Sequence, residues 1–98
     1  MRVFFGVLFF LILSFYNAQS GRVFDQLTLD SKILKGERKY AIYLPPDYES
    51  SKRDYPILYL LHGAGDDHTG WVQYGEVLQI ADKEINAGNS TSMIIVMP

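Results

Sequence analysis

Residues 55–67 read Tyr-Pro-Ile-Leu-Tyr-Leu-Leu-His-Gly-Ala-Gly-Asp-Asp, an apolar run that passes directly into a turn of small and polar residues. Five apolar residues in succession, Ile57 to Leu61, predict a strand that is buried on both faces, as the strands of parallel sheets are. The turn follows at the carboxyl end of this strand. Because open α/β sheets bind ligands at that end of their strands, residues 62–67 are the first candidate for a functional site.

The residues before this stretch predict an antiparallel hairpin. Residues 21–31 are expected to form a half-buried strand, and polar and apolar residues alternate along residues 38–44. Residues 35–37 are the predicted turn between them, in which Gly36 is free to take a positive φ. The central strand is therefore the third strand of the chain.

The residues after the central turn predict a helical crossover to a fourth strand. Residues 71–74 are expected to form a short helical turn, and residues 76–87 the main helix, which Gly88 ends. The apolar face of the main helix comprises Val77, Leu78, Ala81 and Ile85. Residues 93–97 are a second strand of the buried type. The last strand–helix–strand unit is expected to be parallel, since crossovers of this kind connect parallel strands.

The N-terminus has the organisation of a secretory signal peptide. Arg2 is its only charged residue, and residues 3–13 form an apolar core of 11 residues. A core of that length suits a signal sequence and is short for a helix that spans a bilayer.

The residues that follow the apolar core predict a cleavage site. Small residues at Ala18 and Ser20 favour cleavage before Gly21. Cleavage there divides the chain into a signal peptide (1–20) and a mature part (21–98), which is exported to the periplasm or the medium. An uncleaved membrane anchor is the alternative.

The composition of the mature part narrows the classes of function. Without Arg2 the chain carries 8 basic and 11 acidic residues, a formal charge of −3, and the two signs are interspersed. It therefore offers no basic surface for nucleic acid or for an anionic membrane. The chain has no cysteine, so it has no disulfide, no thiol nucleophile and no thiolate metal site. We expect no cofactor, no nucleic-acid partner and, after cleavage, no membrane association.

The length and the last residues predict that the chain is the N-terminal part of a longer protein. Its 98 residues suffice for at most one small domain. Residues 93–98 read Met-Ile-Ile-Val-Met-Pro, and an apolar strand left with a free edge favours aggregation. Further strands are expected to cover it.

Three interpretations of the central turn are a dinucleotide-binding site, a metal site and a purely structural turn. Residues 63–68 supply two glycines of a G-x-G-x-x-G dinucleotide fingerprint, but His68 stands where glycine or alanine packs, and no helix is predicted to begin there. A metal site would draw on His62, Asp66, Asp67 and His68, whose side chains point in different directions along a loop. In a purely structural role, His62 ends the strand and the glycines form a tight turn.

An oxyanion hole is a further interpretation of the same turn. Acyl transfer to a serine develops negative charge on the carbonyl oxygen of the substrate, and fixed backbone N–H groups must stabilise that charge. In α/β-hydrolases one of these donors comes from the loop after the third strand. The His-Gly-Ala turn follows the third predicted strand, and its small residues let the backbone approach a substrate.

The residues of this region resemble those of the esterase D family of α/β-hydrolases. Residues 55–67, with Trp71 shortly after them, are similar to the family's third strand and oxyanion loop, residues 43–48 to the Leu-Pro-x-x-Tyr end of its second strand, and residues 93–98 to its fourth strand. The family includes feruloyl and acetyl-xylan esterases, formylglutathione hydrolases, enterochelin esterases and mycolyltransferases. The resemblance covers about residues 40–98. It implies that the chain forms the N-terminal part of an α/β-hydrolase fold, an antiparallel hairpin followed by a parallel βαβ unit.

The resemblance also implies roles for residues of the turn. The backbone N–H of Ala64 would be an oxyanion-hole donor, and His62 and Gly63 would shape the loop. His62 would not be the catalytic base, because in the order Ser, Asp/Glu, His the base comes last in the chain. Trp71 would line the acyl or alcohol pocket, or pack the loop onto the sheet. No metal or other cofactor is implied.

The sequence departs from the family in one respect, since it contains no G-x-S-x-G elbow. The serines of polar loop sequence, none flanked by the elbow's glycines, are Ser50, Ser51, Ser90 and Ser92. We therefore expect the nucleophile, acid and base beyond Pro98, and we expect the chain alone to be inactive.

The expected function is that of a secreted serine esterase, which hydrolyses carboxylic esters through an acyl-enzyme. Export disfavours the formylglutathione branch of the family and favours feruloyl or acetyl esters on polysaccharides as substrates. Two alternatives stay open. One is an acyltransferase of the same fold, and the other is a non-catalytic carbohydrate-binding or cell-surface domain on a degenerate hydrolase fold.

Overall fold

The computed structural model describes residues 20–98, so the predicted signal sequence, apart from Ser20, lies outside the described residues. Within residues 20–98 four strands form one mixed sheet in the order β1-β2-β4-β3. The elements in chain order are β1 (Arg22–Ser31), β2 (Gly36–Leu44), β3 (Ile57–Tyr59), α1 (Gly70–Gln73), α2 (Val77–Asn86) and β4 (Ile94–Met97).

The antiparallel hairpin of β1 and β2 is confirmed, but its turn differs from the prediction. Ser31 pairs with Gly36 at the turn end of the ladder, so Gly36 belongs to β2 and has no positive φ. The chain reverses over residues 32–35, and Lys35 takes the left-handed conformation, with a φ of 56°. The side-chain oxygen of Ser31 accepts the N–H of Leu34 (3.1 Å) and fixes this reversal.

The predicted parallel βαβ unit is also confirmed. β3 pairs with β4 in parallel, with Ile57 opposite Ile94 and Tyr59 opposite Val96, whereas β4 pairs with β2 in the antiparallel sense. The N–H of Leu60 donates to the carbonyl of Val96 (2.9 Å), which extends the ladder one residue past β3. The turn that follows therefore leaves the sheet at the carboxyl end of a parallel strand.

The core lies between the inner face of β2 and β4 and the helix α2. Its buried residues alternate along the two strands and meet the start of the helix; they are Ala41, Tyr43, Val77, Ile95 and Met97. The predicted apolar face of α2 is confirmed, since its other members pack against this cluster. The hydroxyl of Tyr43 donates to Asp82 (2.7 Å). Burial, followed by this hydrogen bond, raises the pKa of Tyr43 above its usual value.

The prediction that the central strand is buried on both faces is wrong for the described chain. β3 is three residues long and lies at the edge of the sheet, and the exposed fractions of Ile57 and Tyr59 are 52% and 64%. Leu58 and Leu60 line an apolar groove of about 360 Å³ beside α2. Burial on both faces requires a layer of structure over each face, and within residues 20–98 β3 has a hydrogen-bonded neighbour on one edge alone.

None of the helices between residues 20 and 98 has the length and apolar character to cross a bilayer.

Candidate active site

The turn after β3 consists of two successive tight turns. The N–H of Asp66 donates to the carbonyl of Gly63, and the N–H of Gly70 donates to the carbonyl of Asp67, both at 3.2 Å. Gly65 has a φ of 80°, a conformation that glycine adopts without steric penalty. The backbone therefore folds back on itself, and residues 62–67 are all exposed.

The carbonyl of Gly63 is held by two donors. Nδ1–H of His62 donates to it at 2.7 Å, and the N–H of Asp66 is the second donor. A trans peptide places its C=O and its N–H in opposite directions, and residues 20–98 contain no cis peptide bond. The two hydrogen bonds therefore also fix the direction of the Ala64 N–H, which points away from both donors.

The N–H of Ala64 has no hydrogen-bond partner among residues 20–98. Ala64 is an exposed residue of this turn. A fixed and unpaired backbone N–H is the element that an oxyanion hole requires.

The acidic side chains of the turn satisfy the loop's own backbone. Oδ1 of Asp66 accepts the N–H of Asp67 (2.8 Å), and Oδ1 of Asp67 accepts both the hydroxyl (2.6 Å) and the N–H (2.8 Å) of Thr69. The hydroxyl of Thr69, then its N–H, hold the pKa of Asp67 below the ordinary value of 3.8, and the nearby His68 and His62 act in the same direction.

The two histidines and two aspartates on which a metal site would draw are not assembled into one. Nε2–H of His68 donates to the carbonyl of Asp25 on β1 (3.0 Å), which draws this side chain away from the turn. Between residues 20 and 98 no three His, Asp or Glu side chains lie close enough to share a metal ion. In the structure, the carboxylates of the turn are solvated charges that cap local turns.

The pKa of Asp67 gives a testable pH dependence. Because its pKa in the folded state is lowered, Asp67 contributes stability above pH 3.8 that is lost as the pH falls through the lower folded value. We expect the ¹³Cγ titration midpoint of Asp67 below 3.8 and its return towards 3.8 in Thr69→Ala. Thr91→Ala, outside the turn, is the control and should leave the midpoint unchanged. A midpoint that Thr69→Ala does not raise would contradict this assignment.

Trp71 connects the loop to the sheet and also borders the site. Its Nε1–H donates to the carbonyl of Leu61 (3.0 Å), the residue before the turn. The indole also lines an open concavity of about 430 Å³, whose other lining residues are His62, Gly63, Asp66, Gly70, Tyr74 and Gly75. The bond to Leu61 supports the packing role of Trp71, and its lining of an acyl or alcohol pocket stays a prediction.

Two glycines, one at the start of α1 and one just after it, lie against residues four positions earlier in the chain. A Cβ at Gly70 would lie 2.2 Å from Oδ2 of Asp66, and a Cβ at Gly75 would lie 2.6 Å from Cε3 and 2.9 Å from the carbonyl oxygen of Trp71. Glycine is required at Gly75, where the added Cβ would meet the backbone of Trp71, whereas at Gly70 the nearest atoms belong to the carboxylate of Asp66, a side chain that can move. Both contacts are local, since Asp66 and Trp71 lie four residues before Gly70 and Gly75, but the sequence pattern alone does not reveal them.

Gly75→Ala should therefore displace Trp71. Its Cβ meets backbone atoms, which cannot rotate away, so we expect the free energy of unfolding to fall by about 1–3 kcal/mol. Trp71 is the only tryptophan among the 98 residues, so its fluorescence maximum should shift to the red. Gly36→Ala is the matched control, because nothing lies within 4 Å of its added Cβ. Equal effects in urea unfolding would refute the proposed crowding.

Comparison with known proteins assigns the family of the chain. Residues 31–98 match the protein family described as "Putative esterase". The chain belongs to this esterase family. A curated relative, an endo-1,4-beta-xylanase/feruloyl esterase from Xylanibacter ruminicola, is 37% identical over 60 residues, which are 57% of this chain and 8% of that protein.

Solved structures of esterases share the fold. A ferulic acid esterase superposes with a TM-score of 0.74 at 37% identity, over 79% of this chain and 30% of that one. A serine-to-alanine mutant of a feruloyl esterase module from Clostridium thermocellum, complexed with sinapinate, superposes with a TM-score of 0.72 at 28% identity, over 84% of this chain and 28% of that one. The predicted α/β-hydrolase fold is confirmed, and this esterase chain spans less than a third of each structure.

Three of the four loop serines make local hydrogen bonds. Ser50 donates to the carbonyl of Asp47 (3.3 Å), Ser51 accepts the N–H of Arg53 (3.1 Å) and Ser90 donates to the carbonyl of Thr91 (3.2 Å). None of these hydroxyls is bonded to a histidine within residues 20–98. They offer no activated nucleophile.

Proposed function

We propose that this chain supplies the oxyanion loop of a serine esterase that hydrolyses carboxylic esters through an acyl-enzyme. The observation that supports this most is the unpaired N–H of Ala64, fixed in direction by the two hydrogen bonds to the Gly63 carbonyl. Membership of the esterase family gives the reaction class in which such a donor acts.

In the proposed reaction, a serine hydroxyl attacks the carbonyl carbon of the ester, and its proton passes to a histidine base. The carbonyl oxygen becomes an oxyanion, to which Ala64 donates its N–H. Collapse of the intermediate releases the alcohol with the proton from the histidine, and water then hydrolyses the acyl-enzyme. We place the nucleophile, acid and base C-terminal to Pro98. His62 acts as a positioning residue for the Gly63–Ala64 peptide.

The proposed substrates are esters of phenolic or acetic acids on polysaccharides. The relatives that support this are a xylanase/feruloyl esterase, a ferulic acid esterase and a feruloyl esterase module complexed with sinapinate. Trp71 and Tyr74 give the concavity lined by His62 and Gly63 an aromatic wall suited to a planar acyl group. Export of the enzyme, directed by residues 1–20, would bring it to such substrates.

Active-site labelling of the full-length protein tests the proposal. A fluorophosphonate probe should label one serine C-terminal to residue 98. The protein should hydrolyse methyl ferulate before it is labelled and should lose this activity once it is labelled. Absence of both labelling and turnover would overturn the proposal in favour of a binding domain. Transfer of the acyl group to a sugar hydroxyl in preference to water would overturn it in favour of an acyltransferase.

The chain alone gives a second test, because an oxyanion donor without a nucleophile has nothing to stabilise. We expect a protein ending at Pro98 to hydrolyse p-nitrophenyl acetate no faster than a matched His62→Ala variant. Replacement of all loop serines by alanine is the control. Turnover that those replacements abolish would show that the chain contains its own nucleophile.

A further inference from the structure

The start of β1 is attached to α2 by one carboxylate. The backbone nitrogen of Gly21 lies 3.0 Å from Oδ1 and 3.1 Å from Oδ2 of Asp82, a residue 61 positions later in the chain. Oδ1 of Asp82 also accepts the hydroxyl of Tyr43 (2.7 Å). Both carboxylate oxygens therefore converge on the nitrogen at which the mature chain is predicted to begin.

Among residues 20–98, no basic side chain forms an ion pair with Asp82. Within residues 20–98 the two side-chain ion pairs join Arg22 to Glu49 and Arg53 to Asp47, and neither includes Asp82. Asp82 is half-buried against Tyr43, which is fully buried. A partly desolvated carboxylate is costly without a partner of opposite charge.

The surroundings of Gly21 accept no side chain. A Cβ at this position would lie 2.6 Å from the carbonyl oxygen of Leu44, 2.7 Å from Oδ1 of Asp82 and 2.7 Å from the ring of Tyr43. Gly21 is buried, whereas Ser20 before it is exposed. The peptide bond between them is thus located where an exposed segment enters the core.

We infer that cleavage of the Ser20–Gly21 bond creates an α-ammonium group that forms an ion pair with Asp82 and fastens β1 to α2. This inference rests on the proposed export of the protein. Hydrolysis of the bond by a signal peptidase consumes one water and leaves a carboxylate on Ser20 and an amino group on Gly21, which is protonated at neutral pH. The amide has one hydrogen to share between two oxygens, whereas the ammonium donates a separate hydrogen to each.

The ion pair makes stability depend on pH. The groups that face the Gly21 nitrogen are the Asp82 carboxylate of α2 and the Tyr43 hydroxyl of β2, with Asp47 acting on Tyr43 through space. Because the partner is anionic, the pKa of the amino group rises on folding. Where Asp82 is ionised, the stabilising contribution of the amino group is therefore complete below about pH 7.7 and is lost as the pH rises through the higher folded value.

The site of cleavage is tested first, by N-terminal sequencing of the full chain exported from a host with its own residues 1–20. A sequence that begins at Gly21 is expected. A retained N-terminus, or a sequence beginning at another residue, overturns the inference together with the predicted cleavage. These results leave the esterase proposal untouched, because labelling of the active-site serine measures it separately.

The ion pair is tested on the protein that begins at Gly21. The ¹³Cα shift of Gly21 should titrate at least about one pH unit above the ordinary α-amino range of about 7.7–8.0. Asp82→Asn keeps the shape and one acceptor but removes the charge, so it should bring the midpoint back into that range. A normal midpoint, or one that Asp82→Asn leaves unchanged, overturns the ion pair.

Thermal unfolding is a second test of the ion pair, and it needs no isotope label. A chain extended by Ser20 keeps the nitrogen as an amide, so it should melt about 4 °C or more below the chain that begins at Gly21 at pH 7. The difference should vanish at a pH above the folded midpoint, and it should be absent in the Asp82→Asn background. A difference that persists in that background overturns the inference.

Discussion

Replacement of Ala64 by proline in the full-length enzyme should lower kcat by about 10²–10³-fold, because loss of one oxyanion donor has an effect of this size. Proline has no N–H, so the oxyanion loses a hydrogen bond. The substrate still binds, because its binding does not depend on that bond. KM should change little, since the bond forms fully in the transition state. The two constants are measured with methyl ferulate.

Two controls separate loss of the donor from damage to the turn. Ala64→Gly keeps the N–H and should retain kcat within a few-fold. Proline restricts Gly63 as well, so a semisynthetic enzyme with a backbone ester in place of the Gly63–Ala64 amide removes the N–H without the ring. Full activity of the ester form, with an unchanged melting temperature, would show that Ala64 is no oxyanion donor.

Tyr43→Ala should have the largest effect on stability. Tyr43 is fully buried between β2, β4 and α2, and truncation of a buried aromatic side chain to alanine costs about 3–5 kcal/mol. Tyr43→Phe keeps the ring but leaves Asp82 without its hydroxyl donor, which costs about 1–3 kcal/mol. The measurement is the free energy of unfolding in urea.

Tyr74→Ala is the matched control for this series. Tyr74 is 81% exposed, so its removal should change the free energy of unfolding by less than about 0.5 kcal/mol. An order of effects other than Tyr43→Ala, Tyr43→Phe and Tyr74→Ala, from largest to smallest, would refute the placement of the core.

The features of the fold that depend on local pattern were predictable. Alternation identified β2, the face beginning at Val77 identified the packed side of α2, and Gly88 ends that helix with a φ of 78°. The exposure of Ile57 and Tyr59 was not predictable. An apolar run indicates that a strand can be buried, but its burial depends on which other elements cover it. The predicted position of the hairpin turn was wrong because the register pairs Gly36 with Ser31 and so places it in β2. The left-handed conformation therefore falls on Lys35 and not on the glycine.

At the site, the sequence indicated the place and the reaction class, and three-dimensional contacts supplied the rest. The His-Gly-Ala turn was located by its position after the third strand. The bond from His62 to the Gly63 carbonyl, which orients the Ala64 N–H, depends on rotamers that sequence does not record. The contact of Gly21 with Asp82 joins residues 61 positions apart through the tertiary structure, so it leaves no local motif.

The role of Ala64 is tested most directly by a crystal structure of the full-length esterase inactivated by a phosphonate ester, whose phosphonyl oxygen takes the place of the oxyanion. We predict that this oxygen lies about 2.7–3.1 Å from the backbone nitrogen of Ala64, with Nδ1 of His62 still bonded to the Gly63 carbonyl. A phosphonyl oxygen bound by other donors, with the Ala64 nitrogen beyond hydrogen-bond distance, would contradict the account.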